Sequence, residues 1–113
     1  MTEPSEAPLL LLVEDDPLVS LAVEEFLSGA GFAILVASSG QEAINLLEGD
    51  ASLSAVVTDV RLGTGPSGWD VGHRARELTP SMPVIYMTGD SANLWSAHGV
   101  PGSIVIQKPF VEA

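Results

Sequence analysis

Five short apolar runs divide the chain: Leu9–Val13, 32–37, 55–57 leading through Thr58 to Asp59, 84–87 leading to Thr88, and 104–106 leading to Gln107. Runs of this length without polar alternation read as strands buried on both faces, as parallel strands are. Between them apolar residues recur at helical spacing. Asp16 and Pro17 suit the N-cap and first turn of a helix that runs to about Ser28, with Leu18, Ala22 and Phe26 spaced to line one apolar face and Gly29 or Gly31 closing it. Ser39-Gly40-Gln41-Glu42 has the spacing of a capping box and opens a second helix, buried through Ala43, Ile44 and Leu47 and ended at Gly49 and Asp50. Ser67 caps a third, with Val71, Ala75 and Leu78 inward and Pro80 and Pro83 bracketing its exit. From Asp90 to Gly99 the chain supports at best a short helix, because Gly99, Pro101 and Gly102 crowd its end.

Strands alternating with helices at this spacing predict a βα-repeating parallel sheet, and right-handed crossovers place every strand's carboxyl end on one rim. Ligands of open α/β sheets bind at that rim. The first strand ends in Glu14 and Asp15, the third in Asp59, the fourth in Thr88 and the fifth just before Lys108. Three carboxylates, a hydroxyl and an ammonium therefore converge. Gly63, Gly65 and Gly68 make the loop after Asp59 adaptable in backbone.

Composition narrows the reading. At 113 residues with 46% hydrophobic content there is room for one core, so the chain divides into a flexible acidic tail, residues 1–8, and one domain, residues 9–113. Fifteen acidic residues against four Lys and Arg give a net charge of -11, which repels a phosphate backbone and argues against direct nucleic-acid binding. The absence of cysteine excludes disulfides, thiol chemistry and Cys-ligated zinc. Leu9–Val13 is too short to span a bilayer, and Glu3 and Glu6 stand where a signal peptide carries positive charge. The expected location is the cytoplasm, away from the membrane.

Repulsion within the acidic cluster asks for a counter-charge, since two carboxylates about 5 Å apart at an effective dielectric of about 20 repel by roughly 3 kcal/mol. Carboxylate oxygens favour a hard cation such as Mg²⁺. Asp15 and Asp59 are expected as direct ligands and Glu14 as a ligand through water. Phosphoryl transfer requires positioning and neutralisation of the equatorial oxygens, which Mg²⁺, Lys108 and the Thr88 hydroxyl would share. Each residue alone has a plainer reading: Asp59 as a turn residue, Glu14-Asp15-Asp16 as a solvated turn, Thr88 as a backbone hydrogen-bond partner. Their company on one rim favours the chemical one. His73 and His98 read as surface residues, and Trp69 and Trp95 as packing residues.

Val13-Glu14-Asp15-Asp16, Asp59 after its apolar strand, Thr88-Gly89 and Lys108-Pro109-Phe110, in that order, resemble a receiver domain of a two-component response regulator over nearly the whole chain. The resemblance implies a flavodoxin-like, doubly wound parallel sheet of five strands in order 2-1-3-4-5. It also implies a phosphoryl group taken from a histidine kinase or phosphotransfer protein onto Asp59 as a 4-aspartylphosphate, with the carbonyl of Arg61 completing the metal ligands. Thr88 and its loop would then be drawn toward the phosphoryl group, and a downstream protein target would read the shift. Arg61 and Asp90 flank the site where they would tune the phosphoryl lifetime.

Three departures from the family pattern stand out. Gly68 lies one residue later than usual after the nucleophile. Val105 replaces the aromatic usually coupled to the Thr movement. Only Val111, Glu112 and Ala113 follow Phe110, so a fifth helix is expected to be missing beside a shortened fourth, leaving a sheet face through which two copies could form a homodimer. The alternatives in function are an Mg²⁺-dependent phosphohydrolase with an Asp nucleophile, against which Arg61 breaks the usual D-x-D, and a degenerate receiver that binds a partner without phosphorylation. Beyond its own phosphorylation and dephosphorylation, no catalysis is expected.

Overall fold

The computed structural model describes residues 7–108. Most of the expected tail, together with Pro109, Phe110 and the position of a fifth helix, lies outside the described residues. The elements run β1 (Leu9–Val13), α1 (Pro17–Gly29), β2 (Ala33–Ala37), α2 (Gly40–Leu47), β3 (Ala55–Asp59), α3 (Gly68–Leu78), β4 (Val84–Thr88), a 3-10 turn (Ala92–Leu94), α4 (Trp95–His98) and β5 (Ile104–Gln107). All pairings are parallel and the strand order is β2-β1-β3-β4-β5, the expected flavodoxin-like winding.

Alternation along each strand sends side chains to opposite faces. Leu11, Val13, Val56, Val84 and Tyr86 form one core with Ala43 of α2 and Val71 and Ala75 of α3, with Trp69 and Trp95 packed on it. Leu12, Val57 and Met87 form the other with Val23 of α1, joined by Val19 and Leu27. The central strands are buried on both sides, so the run of leucines in β1 needs no polar alternation.

Helix ends follow local chemistry. Asp16 accepts from the amides of Leu18 (2.9 Å) and Val19 (3.4 Å). At the far end of α1, Gly31 at φ 102° lets its amide reach Ser28 and that of Phe32 reach Leu27, a Schellman closure. Ser67 and Asp70 form a complete reciprocal capping box at α3. At α2 the box is split: Ser39 accepts from the Glu42 amide, but the Glu42 carboxylate turns back to the amide of Ser38.

Two helix faces differ from expectation. Leu18, Ala22 and Phe26 are exposed, Leu18 at 79% and Phe26 at 75%, and the face packed on the sheet is instead Val19, Ser20, Val23 and Leu27. The helix is apolar around most of its girth, so a helical period fits more than one stripe, and the two valines settle against the sheet with Ser20 and Leu27. Leu78 is likewise exposed, Gly72 completing the buried face of α3 where it meets the Tyr86 hydroxyl. Between α1 and the sheet, Ala22, Phe26, Leu27, Val57, Ile85 and Ile106 border an apolar groove of about 480 Å³.

Two of the four basic residues hold this frame. Arg74 bridges Glu48 of the α2 end (2.9 Å) and Glu77 (3.0 Å). Arg76 donates to the carbonyls of Met82 (2.6 Å) and Pro101 (2.5 Å).

Candidate functional site

The parallel ladder continues past the strand ends and delivers the polar residues to the rim. The amide of Glu14 donates to Ala37 (3.0 Å), that of Val60 to Met87 (3.0 Å) and that of Lys108 to Thr88 (2.7 Å). Asp59 is the last residue of β3 and Thr88 the last of β4. Glu14, Asp59 and Thr88 are buried, while Asp15 stays exposed.

The loop after β3 folds back tightly. Gly63 and Gly65 take positive φ, and the Gly68 amide bonds the Val60 carbonyl (2.8 Å). A Cβ on Gly68 would overlap the backbone of Asp59, so glycine alone permits α3 to start against the strand end. Asp59 is held from outside as well as from its own strand.

Carboxylate oxygens of Glu14, Asp15 and Asp59 lie within 4.8 Å of one another. The Lys108 ammonium stands 3.0 Å from Glu14 and 3.3 Å from Asp59. Burial works against that ammonium, but the bond to Glu14 and the charges of Asp59 and Glu14 outweigh it and raise its pKa above the ordinary lysine value. Glu14 also moves up: burial raises it, the Lys108 bond lowers it, the Asp59 charge raises it again, and the upward influences prevail. The Lys108 direction reflects the carboxylates around it, and the Glu14 direction reflects chiefly its burial, with Asp59 adding to it. One ammonium does not neutralise three acids, and an all-oxygen donor set with one exposed member fits a small hard cation.

Asp59, Arg61, Thr88, Gly89, Asp90 and Lys108 line a common open pocket of about 330 Å³. The expected nucleophile, hydroxyl and ammonium thus share one cavity, and the three acids share one cluster. Arg61 is on the pocket wall, but its side chain turns from the acidic cluster to Asp90, with Nε 3.0 Å from each carboxylate oxygen. Bonds from Ser91 and Arg61 hold Asp90 below the usual carboxylate range. The Thr88 hydroxyl accepts from the amides of Ser91 (2.8 Å) and Asp90 (3.3 Å), closing the turn after β4 in the local manner of a Thr side chain.

Ser91 has no part in the sequence reading, yet its amide and its hydroxyl, which donates to Asp90 (2.9 Å), organise this wall. A serine three places after Thr88 at the head of a short helix is the signal that marks it. His73 and His98 are exposed, with His73 Nε2 2.8 Å from the His98 carbonyl, and both lie outside the pocket.

Comparison with known proteins bears on the fold and the family. The family model described as the response regulator receiver domain matches residues 10–113. The chain is 31% identical over 105 residues to the uncharacterized transcriptional regulatory protein YrkP of Bacillus subtilis, covering 91% of this chain and 44% of that protein. It therefore spans less than half the length of that curated relative. A response regulator receiver protein from Sinorhizobium medicae superposes with a TM-score of 0.92 at 42% identity, over 95% of this chain and 86% of that one. The receiver domain of the sensor histidine kinase PA1611 from Pseudomonas aeruginosa, described with a magnesium ion coordinated in its active site cleft, shares the fold at a TM-score of 0.79 and 22% identity, over 93% of this chain and 88% of that one.

Proposed function

Since the chain belongs to the family of response regulator receiver domains, we propose that Asp59 is its phosphoacceptor, with Lys108 and Thr88 as the groups that meet the transferred phosphoryl. The single observation that carries this is Lys108 bridging Glu14 and Asp59 at 3.0 and 3.3 Å in the pocket that also contains Thr88. Receiver domains are signalling modules of two-component systems, and here the donor would be a phosphohistidine on a kinase or phosphotransfer protein.

In the step itself a carboxylate oxygen of Asp59 attacks phosphorus. The P–O bond forms as the P–N bond breaks, the imidazole leaves with the electron pair and takes a proton, and an acyl phosphate results. Lys108 moves from the Asp59 carboxylate to a phosphoryl oxygen, an ammonium before and after because the ordinary lysine value already lies well above neutral pH. Thr88 uses its hydroxyl proton, the lone pairs being already engaged by amides, to donate to another. Glu14, Asp15, Asp59 and the carbonyl of Arg61 would hold Mg²⁺, which when bound supplies neutralising charge to the phosphoryl oxygens.

Drawing Thr88 toward the phosphoryl group biases a conformational equilibrium of its loop. Moving such an equilibrium from mostly off to mostly on takes about 5.5 kcal/mol of differential binding, within reach of a few charge-assisted hydrogen bonds. No described helix is long and apolar enough to cross a membrane. The test is incubation with acetyl phosphate and Mg²⁺, read by intact mass: wild type should gain one phosphoryl group and Asp59→Asn none. An equal gain in the variant refutes the assignment, and sustained turnover of p-nitrophenyl phosphate refutes the view that the chain acts on itself alone.

A further inference from the structure

The segment between β4 and β5 is anchored unequally at its two ends. Its start is held by the Thr88 hydroxyl, which accepts from Ser91 and Asp90, and by the exposed Arg61–Asp90 pair. Its far end is tied to the frame twice, the Val100 amide donating to the Tyr86 hydroxyl (3.2 Å) and Arg76 to the Pro101 carbonyl (2.5 Å), and is cross-braced within itself, Trp95 Nε1 donating to Ser103 Oγ (2.9 Å) and Ser103 Oγ to the Val100 carbonyl (2.5 Å). Between these ends no residue from 92 to 98 is buried, and the helical pieces are three and four residues long. Such an element has little of its own to resist rearrangement.

Trp95 is where the loose part meets the fixed part. It is half-buried against the larger core, its indole is fastened to Ser103 just before β5, and its ring closes so tightly on Gly99 that a Cβ there would overlap it. A Thr88 hydroxyl displaced toward a phosphoryl oxygen must carry the Ser91 amide with it or leave that buried amide without an acceptor, with the full cost of its desolvation. Following is the cheaper course. The far end stays, so the turn at 91–94 has to rotate about the first fixed side chain it reaches.

We propose that Trp95, pinned by Ser103, is the pivot through which the Thr88 hydroxyl rearranges the exposed surface of residues 92–98. This rests on the phosphoacceptor reading above and assigns to it the residue that transmits the change. Val105, half-buried on the neighbouring strand, has no polar atom to take that part. The pivot moves Asn93 and Leu94, both exposed, relative to α3, and these are the side chains a partner would sense.

The experiment uses the whole chain labelled with 5-fluorotryptophan, whose two tryptophans give separate fluorine resonances assigned with Trp95→Phe. Mg²⁺ and beryllofluoride serve as the probe, and bound beryllofluoride has its own fluorine signal. The expected result is a Trp95 shift larger than its linewidth on saturation, and loss of at least half of that shift in Ser103→Ala with beryllofluoride still bound. Ser103→Thr, which keeps the hydroxyl, should restore it. Bound beryllofluoride with an unmoved Trp95 overturns the pivot, as does an undiminished shift in Ser103→Ala. Absence of any bound beryllofluoride signal in wild type overturns the phosphoacceptor reading instead.

Discussion

Replacing Lys108 with methionine removes the ammonium while keeping most of the side-chain volume. At an effective dielectric of about 20, charges separated by the 3.0 and 3.3 Å seen to Glu14 and Asp59 attract by about 5.5 and 5.0 kcal/mol. Those are gross values, opposed by the burial of all three groups. Removing one member of a buried pair typically costs about 3–5 kcal/mol because the other charge is left uncompensated, and Glu14, at 2% exposure, is such a charge. A loss of about 3 kcal/mol at pH 7 is expected, a large share of the roughly 5–15 kcal/mol that holds a domain folded. Urea unfolding followed by circular dichroism, without Mg²⁺, measures it.

Two dependences distinguish this cause from a simple packing defect. Glu14 already has a raised pKa in the folded protein, and losing Lys108 raises it further. A group raised on folding contributes stability fully below its unfolded value, 4.5 for this carboxyl, and loses that contribution as pH climbs through the folded value. The variant's deficit should therefore shrink as pH falls from 7 toward that lower value. Mg²⁺ at about 100 times its Kd returns about 2.7 kcal/mol to a protein that binds it only when folded, and more to the variant at equal concentration, since Lys108 no longer competes for the same oxygens. Glu14→Gln added to Lys108→Met should recover most of the loss. A single variant within about 0.5 kcal/mol of wild type, or a deficit unchanged by Glu14→Gln, refutes the reasoning.

Two further outcomes can be measured independently. Gly68→Ala drives a Cβ into the Asp59 backbone, which cannot yield as a flexible side chain would, so about 3 kcal/mol should be lost; Gly29→Ala, with open space around it, should cost nothing or gain up to about 1 kcal/mol, and equal effects at both sites would refute the contact. Tyr86, the single tyrosine, is pushed above 10.0 chiefly by burial, so its stabilising contribution is complete below pH 10 and declines as pH rises through the folded value; near-ultraviolet titration should find phenolate only above that point, and ionisation of the folded protein at or below it would overturn the assignment.

The sequence made the strands plain because uninterrupted apolar runs such as Leu9–Val13 fit little else in so short a chain. Strand order came from resemblance, since nothing in the local pattern says that β1 lies between β2 and β3. The inner face of α1 was illegible for the opposite reason, an excess of signal: Leu18, Val19, Ala22, Val23, Phe26 and Leu27 support more than one stripe. In the site, Glu14, Asp15, Asp59, Thr88 and Lys108 were readable as strand-end residues. The Lys108 bond to Glu14 spans 94 positions and leaves no local trace, and the role of Ser91 depends on where the Thr88 lone pairs point.

All four Lys and Arg side chains of this chain are engaged within the molecule: Arg74 with two glutamates, Arg76 with carbonyls, Arg61 with Asp90 in a pair that stays on the surface, and Lys108 with the acidic cluster. With a net charge of -11 and each of its cations already paired, the molecule meets its surroundings as a strong polyanion. A protein that docks here has to bring its own cations, its encounter rate should drop steeply as salt is added, and an equally acidic neighbour would be turned away before any contact is made.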